Sequence, residues 1–178
     1  FLCQGGLTGA QKGTATHRFV QFADYRRARL DLEAEIRRLT EEGMLTTLQA
    51  DAINRRTVKS FLESDLAERI LSSPEVLREK RFIIEVPISE IYEGVEQFSD
   101  EKVMIQGACD CAFEEEGGLV VIDYKTDLID DEEIFREKYR SQLMLYKKAL
   151  ELCTEKPVRE TLLYSFHLSR TIEVKEKI

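Results

Sequence analysis

Cysteine is sparse and poorly spaced for metal. The chain has four, Cys3, Cys109, Cys111 and Cys153, with no C-x-x-C pair. Those separations fit neither a zinc site nor an iron–sulfur run, so four free, mostly buried thiols in a reducing compartment are expected. Cys109 and Cys111 flank Asp110 on a predicted strand, which places both on the face opposite it. Long apolar runs are missing too. Nothing approaches the ~20 residues of a membrane span, and no basic-then-apolar leader opens the chain. The expectation is a cytoplasmic chain with no membrane partner. It begins at Phe1 rather than at Met, which suggests a piece of something longer. Positive charge is in deficit, with a formal net charge of −8. That argues against a domain gripping nucleic acid through its overall field. Local contact beside bound cations stays open. Internal repeats and low-complexity linkers are absent.

What is present suits one domain. The 178 residues are 43% apolar and 34% charged, enough for a core without staples. Residues 1–12, with Gly5, Gly6 and Gly9, read as a loop. Thr14 is a plausible cap for a helix carrying His17 and Gln21 on one face and Phe19, Val20, Phe22 and Ala23 on another. Residues 25–80 read as a helical insertion. Its apolar positions recur at helical spacing, Thr46 or Thr47 opens one helix running past Phe61, and Glu33 pairs with Arg37. Arg26, Arg27 and Arg29, then Arg55, Arg56 and Lys59, are solvated faces or, less simply, phosphate contacts.

From residue 81 the period changes from 3.6 to 2. Residues 81–88, 103–113 and 119–124 read as strands, with a hairpin turn over 114–118. A helix over about 131–153 follows, then strands over 161–168 and 171–174. This order implies an α/β fold, a mixed central sheet flanked by helices, with residues 81–178 forming the sheet core and long helix.

The chemistry gathers on the second and third strands. Asp110 interrupts an apolar run, and Asp123 and Lys125 stand i, i+2 on one face. A buried, unpaired carboxylate costs several kcal/mol. A cation removes that cost. An Asp110–Lys125 salt bridge that merely satisfies the sheet is an equally simple reading of those two residues. Gln142 and Tyr146 form an i, i+4 polar patch on the long helix. Glu85 lies among apolar residues near a strand end. His167 reads as an ordinary structural histidine.

Gly13-Thr14-x-x-His17, Glu85-x-Pro87, Gly107-x-x-Asp110, Asp123-Tyr124-Lys125 and Gln142-x-x-x-Tyr146 occur in order on helix, strand, strand, strand and helix. This set resembles the PD-(D/E)XK nuclease superfamily in its RecB-like branch, over about residues 13–166. The wording around His17 and Asp123 is most similar to the nuclease domains of AddA-type helicase–nucleases.

The resemblance implies a restriction-endonuclease-like fold and a metal-dependent deoxyribonuclease acting as an exonuclease on unwound single-stranded DNA in break repair and recombination. It implies Mg2+ or Mn2+ held by Asp110, Asp123, His17 and the main-chain carbonyl of Tyr124, with Asp110, Asp123 and Lys125 catalytic. Gln142, Tyr146 and Glu85 would position DNA or support the site, Glu85 by orienting Lys125 or holding a second cation. The cysteines do not match the iron–sulfur pattern of the partner subunit's nuclease domain, so no cluster is expected. The implied partners are DNA, a helicase part of the same chain and an AddB-type subunit. No G-x-x-x-x-G-K-[ST] motif lies in these residues, so a motor would lie outside them. The alternatives are a nuclease-fold scaffold that binds DNA or a partner without cutting, and a stand-alone RecB-like exonuclease.

Overall fold

The computed structural model describes residues 8–90 and 101–176. Cys3 and the glycines at 5 and 6 lie outside them. Helix α1 (Gly9–Phe22) starts earlier than the glycine-rich sequence suggests. Thr8 caps it, accepting from the Gln11 N–H while the Gln11 side chain accepts from the Thr8 N–H. This reciprocal box satisfies two otherwise orphaned donors. Thr14 is therefore not the cap. It lies inside the helix, donating to the Ala10 carbonyl.

Five short helices follow: α2 (Tyr25–Leu30), α3 (Leu32–Glu41), α4 (Thr47–Ala52), α5 (Arg55–Leu62) and α6 (Asp65–Ser72). Each begins at a side-chain cap: Asp24, Asp31, Thr46, Asn54 and Ser64. The expected single helix past Phe61 is two, because Asn54 caps a new start. Three of the six cationic side chains in the two basic clusters are structural. Arg26 donates to the Leu71 carbonyl, Arg29 to Leu62 and Arg55 to Ala50. Each binds carbonyls at or near the C-terminal end of a neighbouring helix, where positive charge is favoured. Glu33 pairs with Arg55, at 3.0 Å, instead of the expected Arg37.

Among the described residues the sheet has five strands in the order β1 (Val76–Pro87), β2 (Lys102–Glu115), β3 (Gly118–Lys125), β4 (Val158–Ser165) and β5 (Arg170–Glu173). All neighbours are antiparallel except β3 and β4, which run parallel across helix α7 (Glu132–Thr154). Strand β1 begins at Val76, not 81, since Val76 already pairs with Phe113. Charged Arg78, Glu79 and Lys80 hide that start from an alternation test. Glu116 and Gly117, both at positive φ, make the two-residue turn between β2 and β3.

Two apolar layers sandwich the sheet. Helices α1–α6 share one core with Cys111, Phe113, Ile122, Tyr124 and Tyr164. On the other face α7 packs Phe135, Leu143 and Leu150 against Cys109, Ala112, Val121 and Leu163. Cys109 and Cys111 thus point into opposite layers, correcting the expectation that they share a face. The alternation reverses between them. In β1, Arg78 lies against the Tyr25 ring on the α1 side, whereas Phe82, Ile84 and Val86 pack on the α7 side. Pairing keeps one register across the reversal, Arg78 with Cys111 and Lys80 with Cys109. Between those two pairs lie Glu79, at φ +50°, and Asp110, which are not themselves a ladder pair. A left-handed glutamate costs about 1–2 kcal/mol, so the twist at this point is built against a local preference.

Candidate active site

Strand β3 pairs with β2 only as far as Ile122, opposite Cys111, while its pairing with β4 continues to Lys125 opposite Ser165. The strands part where the alternation reverses. Tyr124 then has a buried N–H with no β2 carbonyl to meet, and Asp110 Oδ2 accepts it at 2.9 Å. One carboxylate thus completes the sheet's hydrogen bonding at the opening.

Asp123 and Lys125 project from β3 toward α7. Lys125 Nζ lies 2.7 Å from Asp123 Oδ2, and the two side chains are only 13% and 2% exposed. The ammonium therefore pairs with Asp123, not with Asp110 as the simple salt-bridge reading supposed. Although near that ammonium, Asp123 Oδ2 receives no well-directed hydrogen bond. Lys125 Nζ also donates to Gln142 Oε1 at 3.0 Å and lies 4.1 Å from the centre of the Tyr139 ring.

Gln142 Nε2 donates to the Tyr146 hydroxyl at 2.7 Å, so both ends of this amide are engaged inside the protein. The Tyr146 ring meets Phe82 edge to face at 5.9 Å. Phe82 in turn lies over Gly107, where any Cβ would come within 2.7 Å of its ring. A chain of contacts thus runs from Gly107 through Phe82, Tyr146 and Gln142 to Lys125.

His17 enters from α1. Its Nδ1 is 3.4 Å from Asp110 Oδ2, and its ring lies close to the Tyr124 main chain. Gly13 permits the approach. A Cβ there would lie 2.7 Å from Thr126 Oγ1, just past Lys125, so glycine lets α1 dock this close to the end of β3 without displacing that hydroxyl.

Burial dominates the electrostatics. It raises Asp123 to about 7, helped by the neighbouring Asp110 charge and opposed by Lys125. It raises Asp110 as well, against the Tyr124 N–H that favours the charged form. Burial lowers His17, keeping its imidazole neutral near pH 7. Two adjacent carboxyls that share protons beside a neutral imidazole form a donor set that exchanges those protons for a divalent cation. Among the described residues no three such side chains already stand at metal-holding distances. The chemistry of the set and the unsatisfied Asp123 Oδ2 fit a cation; the side chains would have to close on it.

Glu85 is not part of this assembly. It faces solvent, pairs with Lys102 at 3.3 Å and sits opposite Met104 in the ladder. Met104 is six residues from Asp110, about 20 Å along the strand. The acid that β1 contributes is Glu79, whose charge acts on both Asp110 and His17. Glu79 also lines an open groove of about 710 Å³ with His17, Gln21, Thr126 and Asp127. Its only sequence signal is an unbroken run of four charged residues, Arg78-Glu79-Lys80-Arg81, near the start of a strand. Among the histidines, His167 bonds Asp130 at 2.7 Å on the surface.

A mixed sheet covered by helices on both faces, with a carboxylate pair and a lysine at an opened strand end, is the architecture of a nuclease class. The model of the PD-(D/E)XK nuclease superfamily matches residues 5–176, and the chain belongs to that superfamily. Its curated relatives are more particular. A protein of Acetivibrio thermocellus, named as the A subunit of an ATP-dependent helicase/nuclease, is 40% identical over 165 residues, 90% of this chain and 13% of the relative. Proteins of the same name from Ruminiclostridium cellulolyticum and Clostridium botulinum strain 657 are 39% and 37% identical over 95% and 94% of this chain. The chain spans only 13–14% of the length of these relatives. A solved structure named "Crystal structure of SSO0001" superposes with a TM-score of 0.44 at 15% identity, over 92% of this chain and 67% of that one. No helix among the described residues is long and apolar enough to cross a membrane.

Proposed function

We propose that this chain is a metal-dependent deoxyribonuclease that hydrolyses single-stranded DNA, as the nuclease part of a longer helicase–nuclease. The observation that carries the reading is the buried Asp110–Asp123 pair at the parted ends of β2 and β3, with Lys125 beside it and His17 lowered onto it. The names of the relatives, each the A subunit of an ATP-dependent helicase/nuclease, support a helicase on the same polypeptide and a partner subunit. The further proposal, from the motif resemblance, is that the partner is AddB-type and the setting cytoplasmic break repair and recombination.

In this proposal Asp110, Asp123, His17 and the Tyr124 carbonyl hold Mg2+ or Mn2+. The donors are mainly oxygen, which suits Mg2+, and the imidazole moves the preference toward Mn2+. A bound divalent cation would polarise the scissile phosphate and lower the pKa of a coordinated water. Lys125 orients the attacking water, helps remove its proton and offsets charge growing on the phosphate. Gln142, held by Tyr146, keeps the lysine amine aimed at that place. Asp110 keeps the strand opening intact through the Tyr124 N–H while facing the cation. Nothing in this cluster reads a base, so cleavage without sequence preference is expected, beginning from strand ends.

The test is degradation of end-labelled single-stranded DNA by the purified chain with Mn2+ or Mg2+. Cleavage that stops on chelation and is abolished by Asp123→Ala is the expected result. Equal cleavage by that variant would overturn the assignment. A folded chain that binds DNA but never cuts it would favour the scaffold reading.

A further inference from the structure

Lys125 is held by more than its carboxylate. The inference drawn from this rests on the nuclease reading above. A lysine side chain has four rotatable bonds and about 2 kcal/mol of rotamer entropy to lose when it is fixed. Three groups restrain this one: Asp123 Oδ2 at 2.7 Å, Gln142 Oε1 at 3.0 Å, and the face of Tyr139 at 4.1 Å. Asp123 is also the group a cation would engage, and its hold on the ammonium weakens when it does. Gln142 alone would leave the amine one neutral hydrogen bond to pivot about.

The geometry points to Tyr139 as a positioning residue for Lys125. Its ring face keeps the ammonium in place when Asp123 is turned to the cation. The ring is itself fixed on three sides. It meets Phe135 edge to face at 5.3 Å. Its hydroxyl interacts with Asp127 and Lys138. Those two form a 2.8 Å salt bridge beside it. Tyr139 stands one turn before Gln142 on α7, so a single helix face presents both restraints. Attraction between an ammonium and a tyrosine face comes from the ring's quadrupole and does not need the hydroxyl. Phenylalanine should therefore serve, and an aliphatic residue should not.

The experiment compares Tyr139→Phe, Tyr139→Leu and Tyr139→Met in the same chain, with melting curves to show that each is folded. Methionine serves as a second ring-free variant should leucine disturb α7. The first readout needs no activity. In protein carrying 13C-labelled lysine, the Lys125 ε-methylene resonance, assigned through Lys125→Arg, should lie upfield through the ring current. It should stay so in Tyr139→Phe and move toward the free-lysine position in the ring-free variants. The second readout is Mn2+-supported cleavage of single-stranded DNA. Tyr139→Phe should keep turnover within about twofold, and a ring-free variant should lower kcat about tenfold at unchanged KM.

An unshifted Lys125 resonance in the unmodified chain overturns the proposal. So does a ring-free variant with full turnover, or an equal loss in Tyr139→Phe, which would assign the effect to the hydroxyl and Asp127. If the unmodified chain does not cut, the nuclease reading fails, and the lysine resonance still decides whether the ring holds the amine.

Discussion

Leu119 to Ile122, at the start of β3, are paired on both edges, with β2 and with β4, and each side chain is buried in apolar surroundings. Asp123 to Lys125, at the end of the same strand, are paired with β4 alone and carry two charged groups. The two halves share a backbone conformation, a sheet and the same pair of flanking layers. They differ in whether β2 is still alongside. Where the ladder opens, the Tyr124 N–H needs an acceptor and the space beside it admits side chains from α1 and α7. A carboxylate there meets a backbone requirement and a chemical one together.

Adjacent residues break this comparison most sharply. Ile122→Ala should cost about 2–5 kcal/mol of stability through the cavity it leaves, with cleavage per folded molecule unchanged in denaturant melts and activity assays. Asp123→Ala should do the reverse. Cleavage should fall below detection while the metal-free fold loses less stability than in Ile122→Ala, because removing a desolvated carboxyl offsets the lost ion pair to Lys125. If both variants lost stability alike, the two halves of β3 would not be functionally distinct.

A second test separates the two duties of Asp110. Asp110→Asn retains an acceptor for the Tyr124 N–H and should melt near the unmodified chain without cutting. Asp110→Ala leaves that N–H unpaired and should be less stable by about 1–3 kcal/mol. Equal melting of the two variants would mean the hydrogen bond at the opening does not matter.

The raised pKa of Asp123, about 7, gives a pH test. Between the ordinary carboxylate range and pH 7 the folded, metal-free chain keeps a proton that the unfolded chain releases. Stability therefore falls as pH rises through that window, by linkage. Melting temperature should drop from pH 5 to pH 8 without metal, by about 2–4 °C per kcal/mol of linked stability. The slope should be shallower in Asp123→Asn. A slope identical in both proteins would place the proton elsewhere. The smallest effect is expected from Glu85→Gln. It removes one exposed ion pair, worth about 0–1 kcal/mol, and should leave cleavage within about twofold.

Much of this was legible in the residues alone. The order of helices and strands follows from where the apolar period changes, and α7 lies within a residue of its expected bounds because Asp131 is a cap signal. The acidic hairpin, His17 and the Gln142–Tyr146 pair come together as the motif order implied. What escaped the sequence has physical causes. Alternation assumes one period along a strand, and the reversal at Glu79 and Asp110 violates it. That misplaced Cys109 and directed attention to Glu85, whose neighbours look like a buried strand, rather than to Glu79. Tyr139 reads as one of several apolar stripe positions on α7, and no spacing rule reveals that Lys125 lies over its ring. Gly5, Gly6 and Gly9 have the composition of a loop, which masks the Thr8–Gln11 capping box among them.

The central claim is that the carboxylates at the open end of β3 form a cation site. Calorimetric titration of the metal-free chain with Mn2+ at pH 7.5 tests it most directly, alongside Asp110→Ala. The account predicts one or two saturable sites, with proton release on binding, that disappear in the variant. No saturable binding to the unmodified chain, or binding undiminished in Asp110→Ala, would contradict it.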